Sequence, residues 1–171
     1  VCKTFLMITK YLTKSFYINL CIVFSIYILD RISKIYIIYL DKQILDSNIF
    51  ESAFLNITLI WNKGIAFGLF SFDEIYFYNL LSIIIAVVIV ALLVMAVKTI
   101  GFRRYYLFMI IGGALGNLHD RIFSFAVPDF IDFHIGSFHW FIFNVSDIFI
   151  SLGVIGMIIS ELINDKANDK V

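Results

Sequence analysis

The chain has 171 residues, 61% of them hydrophobic and only 15% charged. A water-soluble domain is about half apolar and a quarter charged, so the surplus apolar surface belongs in lipid. Lys and Arg balance Asp and Glu to a net charge of zero, which leaves neither a basic surface for nucleic acid nor an acidic solvating tail. Cys2 and Cys21 are the only cysteines; they lie too far apart along one helix to bridge, and read as apolar fillers.

Four apolar stretches compare with the ~20 residues that a spanning helix needs. The first, about 16–40, is interrupted by Asp30, Arg31 and Lys34. A basic flank of Lys3, Lys10 and Lys14 suggests a signal peptide, but no A-x-A-like exit follows and the apolar character resumes after "DRISK". A retained span is expected. The segment 41–74 is too long for a plain linker. Its "FLNITLIWN" (54–62) is rich in β-favouring residues and "NKG" supplies a turn. A small extracytoplasmic sheet on the membrane surface is expected, with Trp61, Phe67 and Phe70 in the interfacial zone; a loop that merely covers the bundle is the alternative.

The second stretch, 75–97, carries no charge. After the short "KTIGFRR" (98–104) comes the third, about 104–122, where Gly112 and Gly116 form a G-x-x-x-G step that lets helices approach closely. Asp129 falls in the connection that follows. The fourth runs about 141–163, opening with "FIFNVSDIFISLGVIGMII". Asn144 and Asp147 stand inside it at i, i+3 on one face, with Asp147 about two turns in, or ~9 Å at 1.5 Å per residue. The expected fold is an all-α polytopic membrane protein: four transmembrane helices plus a small β-rich outer segment, in a single domain over 1–171.

With the N-terminus inside, the cytoplasmic flanks hold Lys3, Lys10, Lys14, Lys98, Arg103, Arg104, Lys166 and Lys170. The outer parts hold Arg31, Lys34, Lys42, Lys63 and Arg121. This bias places both termini in the cytoplasm. Asp30, Asp120, Asp129 and Asp147 then converge on one level near the outer membrane surface. An Asp within a span costs roughly 2.5–3.5 kcal/mol on insertion scales and usually marks a function.

A serine or cysteine nucleophile needs a base within reach, yet the cysteines lie in the inner half or cytoplasmic side, and His119, His134 and His139 outside. G-x-S-x-G and H-E-x-x-H are absent, and the three His lack a familiar zinc spacing. Each His reads as an interfacial polar residue; no metal or cofactor is expected. Two adjacent Asp can instead share a proton, one drawing a proton from water while the other donates to the attacked carbonyl. Spacing does not separate Asp129 from Asp132 as the partner of Asp147.

The motifs "DRISK" (30–34), "NKGIAFG" (62–68), "GGALGNLHDRI" (112–122), "VPDFIDF" (127–133) and "FNVSD" (143–147) resemble, in order and spacing, those of the lipoprotein signal peptidase (signal peptidase II) family. The resemblance implies a four-helix aspartyl endopeptidase of the bacterial inner membrane. It would cleave diacylglyceryl-modified prolipoproteins just before the lipidated Cys and be inhibited by globomycin-like cyclic peptides; a monomer is the separate expectation. By motif it makes Asp129 and Asp147 the catalytic pair, with Asp132 a solvated neighbour. It puts Asn62, Gly64, Asn117, Arg121 and Asn144 at the substrate and Asp30, Lys34 and Asp120 in support, although Asp30 and Lys34 read equally well as a structural i, i+4 ion pair. The chain departs from the family's usual residues at Arg31 (commonly Gln), Pro128 (an apolar residue) and Ser146 (Ala), and lacks the frequent Pro before "FN". A proton-coupled transporter is the non-enzyme alternative, but it favours midplane charges and repeated helices; a membrane scaffold would not need several polar groups on one level.

Overall fold

Charge does not stop the first apolar stretch from forming one helix. In the computed structural model, which describes residues 14–44, 48–64 and 75–168, α1 spans Lys14–Asp41. Its Asp30 and Lys34 are fully buried while Leu29, Ile32, Ile35 and Tyr36 around them stay exposed, so the polar residues face the other helices and the apolar ones face out. Cys2, Lys3, Lys10, Phe67, Phe70 and Lys170 lie outside the described residues.

Strand β1 covers Leu55–Asn62, α2 Ile75–Lys98 and α3 Phe102–Ser124. The tight α2–α3 connection is tied by Arg104 Nε, which donates to Thr99 O at 2.6 Å. α3 is the hub, packing against α1, α2 and α4. Its Leu107 and Ile111 form an apolar core with Ile89 and Ala96 of α2. Among the described residues two segments are long and apolar enough to cross a membrane by length and composition, Tyr78–Lys98 and Val145–Ile163. α1 and α3 instead carry charges that meet each other inside the bundle.

The all-α description needs correcting, because a three-stranded antiparallel sheet of order β1-β2-β3 caps one end of the bundle. Among the described residues, the segment 41–74 supplies one strand of it, β1. The others are β2, Val127–Ile135, and β3, Phe138–Phe143, in a region expected to be a connection and the start of the fourth span. "VPDFIDFHI" and "FHWFIF" are dominated by β-branched and aromatic residues, and Gly136, at φ 60°, makes the tight turn between them. The fourth helix, α4, therefore begins at Val145 and runs to Asn168, not from 141. Asp147 stands in its first turn, rather than two turns in.

Register decides which side chains face the bundle. Asn62 pairs with Val127, Ile60 with Asp129 and Asn56 with Asp132; His134 pairs with His139. Side chains alternate along a strand, so Asp129 and Asp132, three residues apart, lie on opposite faces of β2. The sheet reaches its place through Phe125, which ends α3 in the left-handed conformation at φ 53°. That conformation is strained for a residue with a Cβ.

α3 and α4 approach closely through small residues. A Cβ on Gly113 would lie 2.5 Å from Ser146 O and 2.8 Å from Ile150 Cγ1. From the other side, Gly153 and Gly156 make room for Tyr106 and Ile110. Gly112 faces Ile26 and Val23 of α1, and Gly116 abuts Asp30 and Ser146, as the G-x-x-x-G step predicted. Ser146 Oγ is buried there without a hydrogen-bond partner among the described residues. A buried hydroxyl left unpaired costs about 1–3 kcal/mol, so Ser146→Ala should raise the melting temperature in detergent. A lower one would mean that the hydroxyl has a partner.

Candidate active site

Asn144 is the residue from which the polar site is built. It caps α4: its Oδ1 accepts from Asp147 N at 3.2 Å, and Asp147 Oδ2 accepts from Asn144 N at 3.1 Å. This reciprocal pair is the capping-box arrangement, with Asp in place of Glu or Gln, and it explains the i, i+3 spacing more directly than a shared helix face. A backbone N–H can only donate, so it fixes which end of the amide is the oxygen. Asn144 Nδ2 is thereby turned to donate to Asp129 Oδ1 at 2.6 Å. One residue thus bridges the two carboxylates, its backbone N–H on Asp147 and its side-chain amide on Asp129.

Two more amides are fixed in the same way. Asn62, ending β1, accepts from Gly64 N at 2.8 Å and donates to Asp129 Oδ2 at 2.9 Å. Asn117 on α3 accepts from Lys34 Nζ at 2.9 Å and donates to Asp147 Oδ1 at 2.8 Å. All four carboxylate oxygens therefore accept from an N–H. Arg121 is buried and donates to Gly64 O at 2.9 Å and Asn117 O at 3.3 Å, joining the turn after β1 to α3.

Asp129 on β2 is 3% exposed. Burial first, and then the charge of Asp147, push its carboxyl up to about 6, against the lowering effect of the Asn62 and Asn144 hydrogen bonds and the Lys34 charge. It therefore keeps its proton to a higher pH than an ordinary carboxyl would.

These polar groups head a cavity of about 550 Å³ between α2 and α4. Below them its walls are apolar: Leu81, Ile85, Val88 and Leu92 from α2, Ile150, Val154 and Ile155 from α4. Ser151 is the one hydroxyl in that wall, a turn below Asp147; nothing in the sequence motifs marks it. Val88, Val154 and Ile155, which line it, are exposed, so the cavity is open along the gap between α2 and α4.

Beside it lies a buried ion cluster. Lys34 Nζ is 2.9 Å from Asp30 Oδ1 and 2.7 Å from Asp120 Oδ2. Arg31 forks onto Asp120 with Nη1–Oδ1 at 2.6 Å and Nη2–Oδ2 at 2.7 Å, and also reaches Asp30 Oδ2 at 2.7 Å. The expected convergence of Asp30, Asp120, Asp129 and Asp147 is therefore present, as two linked pairs. Arg31, which the sequence marks as a departure and as a charge inside the first stretch, belongs to the network, pairing with its neighbour Asp30 and with Asp120, the one acid of α3.

Asp132 is not a solvated neighbour. It is buried on the other face of β2, where His139 Nδ1 lies 2.8 Å from its Oδ2 and Asn56 Nδ2 donates at 3.4 Å. Three strands enclose it there. His134 meets Asn56 Oδ1 at 3.2 Å and His119 meets Tyr27 OH at 2.8 Å. Among the described residues no group of three or more His, Cys, Asp or Glu is arranged to hold a metal ion.

With this geometry in view, the profile of the signal peptidase (SPase) II family matches residues 22–163. The lipoprotein signal peptidase of Pelagibacter ubique (strain HTCC1062) is 49% identical over 159 residues, 92% of this chain and 96% of the relative. That of Anaplasma phagocytophilum (strain HZ) is 42% identical over 147 residues, covering 85% of this chain and 92% of its own. A bacterial membrane enzyme whose structure was solved by the in meso method at 2.3 Å resolution is 35% identical, with a TM-score of 0.71 over 88% of this chain and 90% of that one.

Proposed function

Since the chain belongs to the signal peptidase II family, a family of membrane proteases that process lipoprotein signal peptides, we propose that it is an aspartyl endopeptidase working through Asp129 and Asp147. Its substrates are prolipoproteins carrying diacylglycerol, cut just before the lipidated cysteine. The observation that carries this reading is the Asn144 bridge between the two carboxylates at the polar head of an apolar, sideways-opening cavity.

The pair shares one proton. The ionised carboxylate takes a proton from water as the water oxygen bonds to the scissile carbonyl carbon; the protonated one gives its proton to the carbonyl oxygen. The resulting gem-diol collapses as the first carboxyl protonates the departing amide nitrogen and the C–N bond breaks. The second recovers a proton from the diol, restoring the starting state. The three locked amides keep both carboxylates in place throughout. Asn62, Gly64, Asn117, Arg121 and Asn144 surround the scissile peptide, while the apolar walls take the signal sequence. The reading includes four spans in one peptidase domain, a monomer in the bacterial inner membrane, and both termini in the cytoplasm, with the site near the outer surface.

The test uses the purified full chain in lipid vesicles with a diacylglyceryl-modified prolipoprotein and its unmodified precursor. The lipidated form should lose one signal peptide by mass, and the unmodified form should be cut far more slowly. An uncut lipidated precursor would refute the activity.

A further inference from the structure

The geometry points to a positioning role for the buried Asp30–Arg31–Lys34–Asp120 cluster: it holds Asp147 through two arms, a carboxylate that caps the helix bearing Asp147 and an ammonium that aims the Asn117 amide at it. This inference rests on the peptidase reading above.

The first arm meets a general problem of helices, whose first N–H groups have no acceptor within the helix. In α4, Asn144 Oδ1 accepts from the N–H of Asp147. The N–H of Ser146 finds Asp30 Oδ1 at 3.1 Å, a residue 116 positions earlier on α1. A charged acceptor at a helix N-terminus is favoured both by the charge-assisted hydrogen bond and by the helix dipole. Gly116 leaves room for it, since a Cβ there would lie 2.7 Å from Asp30 Oδ2. α3 thus lets a carboxylate of α1 reach past it to the helix that bears Asp147.

The second arm is Lys34. An ammonium has three protons and no acceptor. Here Nζ pairs with Asp30 Oδ1 at 2.9 Å and donates to Asp120 Oδ2 and Asn117 Oδ1 at 2.7 and 2.9 Å. The third contact fixes the Asn117 oxygen toward α1 and its Nδ2 toward Asp147. Arg31 completes the set. With it the cluster holds two cations and two anions, and its fork occupies both oxygens of Asp120. Asp30, Lys34 and Asp120 are 0%, 1% and 2% exposed, so water does not stand in for a missing partner.

Five variants are compared with wild type on the lipidated substrate, each checked by melting. A displacement near 1 Å at a reacting group costs about 10²-fold in rate, so Lys34→Met should lower kcat by roughly 10–100-fold and leave KM within about twofold. In an Asn117→Ala background the same change should cost less than about threefold, because both substitutions break one arm. A general loss of structure would instead multiply across the two backgrounds and lower the melting temperature in step, and that result overturns the second arm. For the first arm, Asp30→Asn retains an acceptor for the Ser146 N–H, whereas Asp30→Ala does not. The Asn variant should keep at least about fivefold more kcat; equal losses overturn the cap. The Asp30 pair decides the matter if Lys34→Met fails to fold. A wild type that does not cleave would overturn the peptidase reading itself, while one that cleaves and is indifferent to Lys34→Met and Asp30→Ala overturns only the positioning.

Discussion

Asp129→Asn and Asp147→Asn should each lower cleavage of a lipidated precursor by about 10²–10⁴-fold, and the double variant should fall little further, because residues acting as a unit fail together. Neither substitution is innocent of structure. The amides of Asn62 and Asn144 are locked with their nitrogens toward Asp129, so an amide there sets one N–H against another. Folding therefore has to be followed alongside turnover, and stability offers a second signature. Asp129 titrates near 6 in the folded protein, raised from its ordinary 3.8. A carboxyl raised on folding favours the protonated state, so its contribution to stability is complete below the unfolded value and is lost as the pH rises through about 6. At about 1.36 kcal/mol per unit, the wild type should weaken by roughly 3 kcal/mol relative to Asp129→Asn between pH 3 and pH 8. Melting curves of both proteins across that range measure the difference. A gap independent of pH, or substantial cleavage by either folded single variant, would remove the dyad.

Replacing Gly113 with Val should keep the protein from folding into its active form. Even a Cβ would meet a backbone oxygen at 2.5 Å and Ile150 at 2.8 Å, and a backbone atom at a helix start cannot step aside as a flexible side chain can. Overpacking typically costs about 1–3 kcal/mol; here the strain falls on the first turn of α4, pushing Asp147 away from Asn117. The expected result is little folded protein on gel filtration in detergent and no cleavage. Gly136→Ala is the comparison, since that position has open space and only its φ of 60° to resist a side chain; it should remain folded. A Gly113→Val protein with wild-type melting behaviour would show that α3 and α4 can separate freely.

Much of this was readable from composition and order. Three of the helices begin and end within about two residues of the apolar stretches that announced them, because few other structures bury so many consecutive apolar residues. The fourth was misread at its start. "FIF" before Asn144 is apolar enough for a span, but it pairs with β2, and only the long-range partner at 127–135 reveals it as a strand. The same blind spot hid the other two-thirds of the sheet. Asp129 and Asp147 were identified by motif, whereas the reason Asp132 stands apart, strand alternation, required knowing that β2 is a strand at all. The amide locks depend on backbone N–H groups and on Lys34, partners that side-chain identity alone does not disclose. Gly113 lay unnoticed beside the G-x-x-x-G step, since the helix it faces is known only from the packing.

The sideways opening between α2 and α4 also sets the units in which this protein would count its substrate. If its substrate is anchored by acyl chains as proposed, the precursor would reach that opening by diffusion in two dimensions, and the concentration the site experiences would be molecules per lipid, not molecules per litre. Adding empty lipid that mixes with the proteoliposomes should then thin the substrate and slow turnover. Adding buffer to the same vesicles should change nothing, because the membrane itself would be the reaction volume.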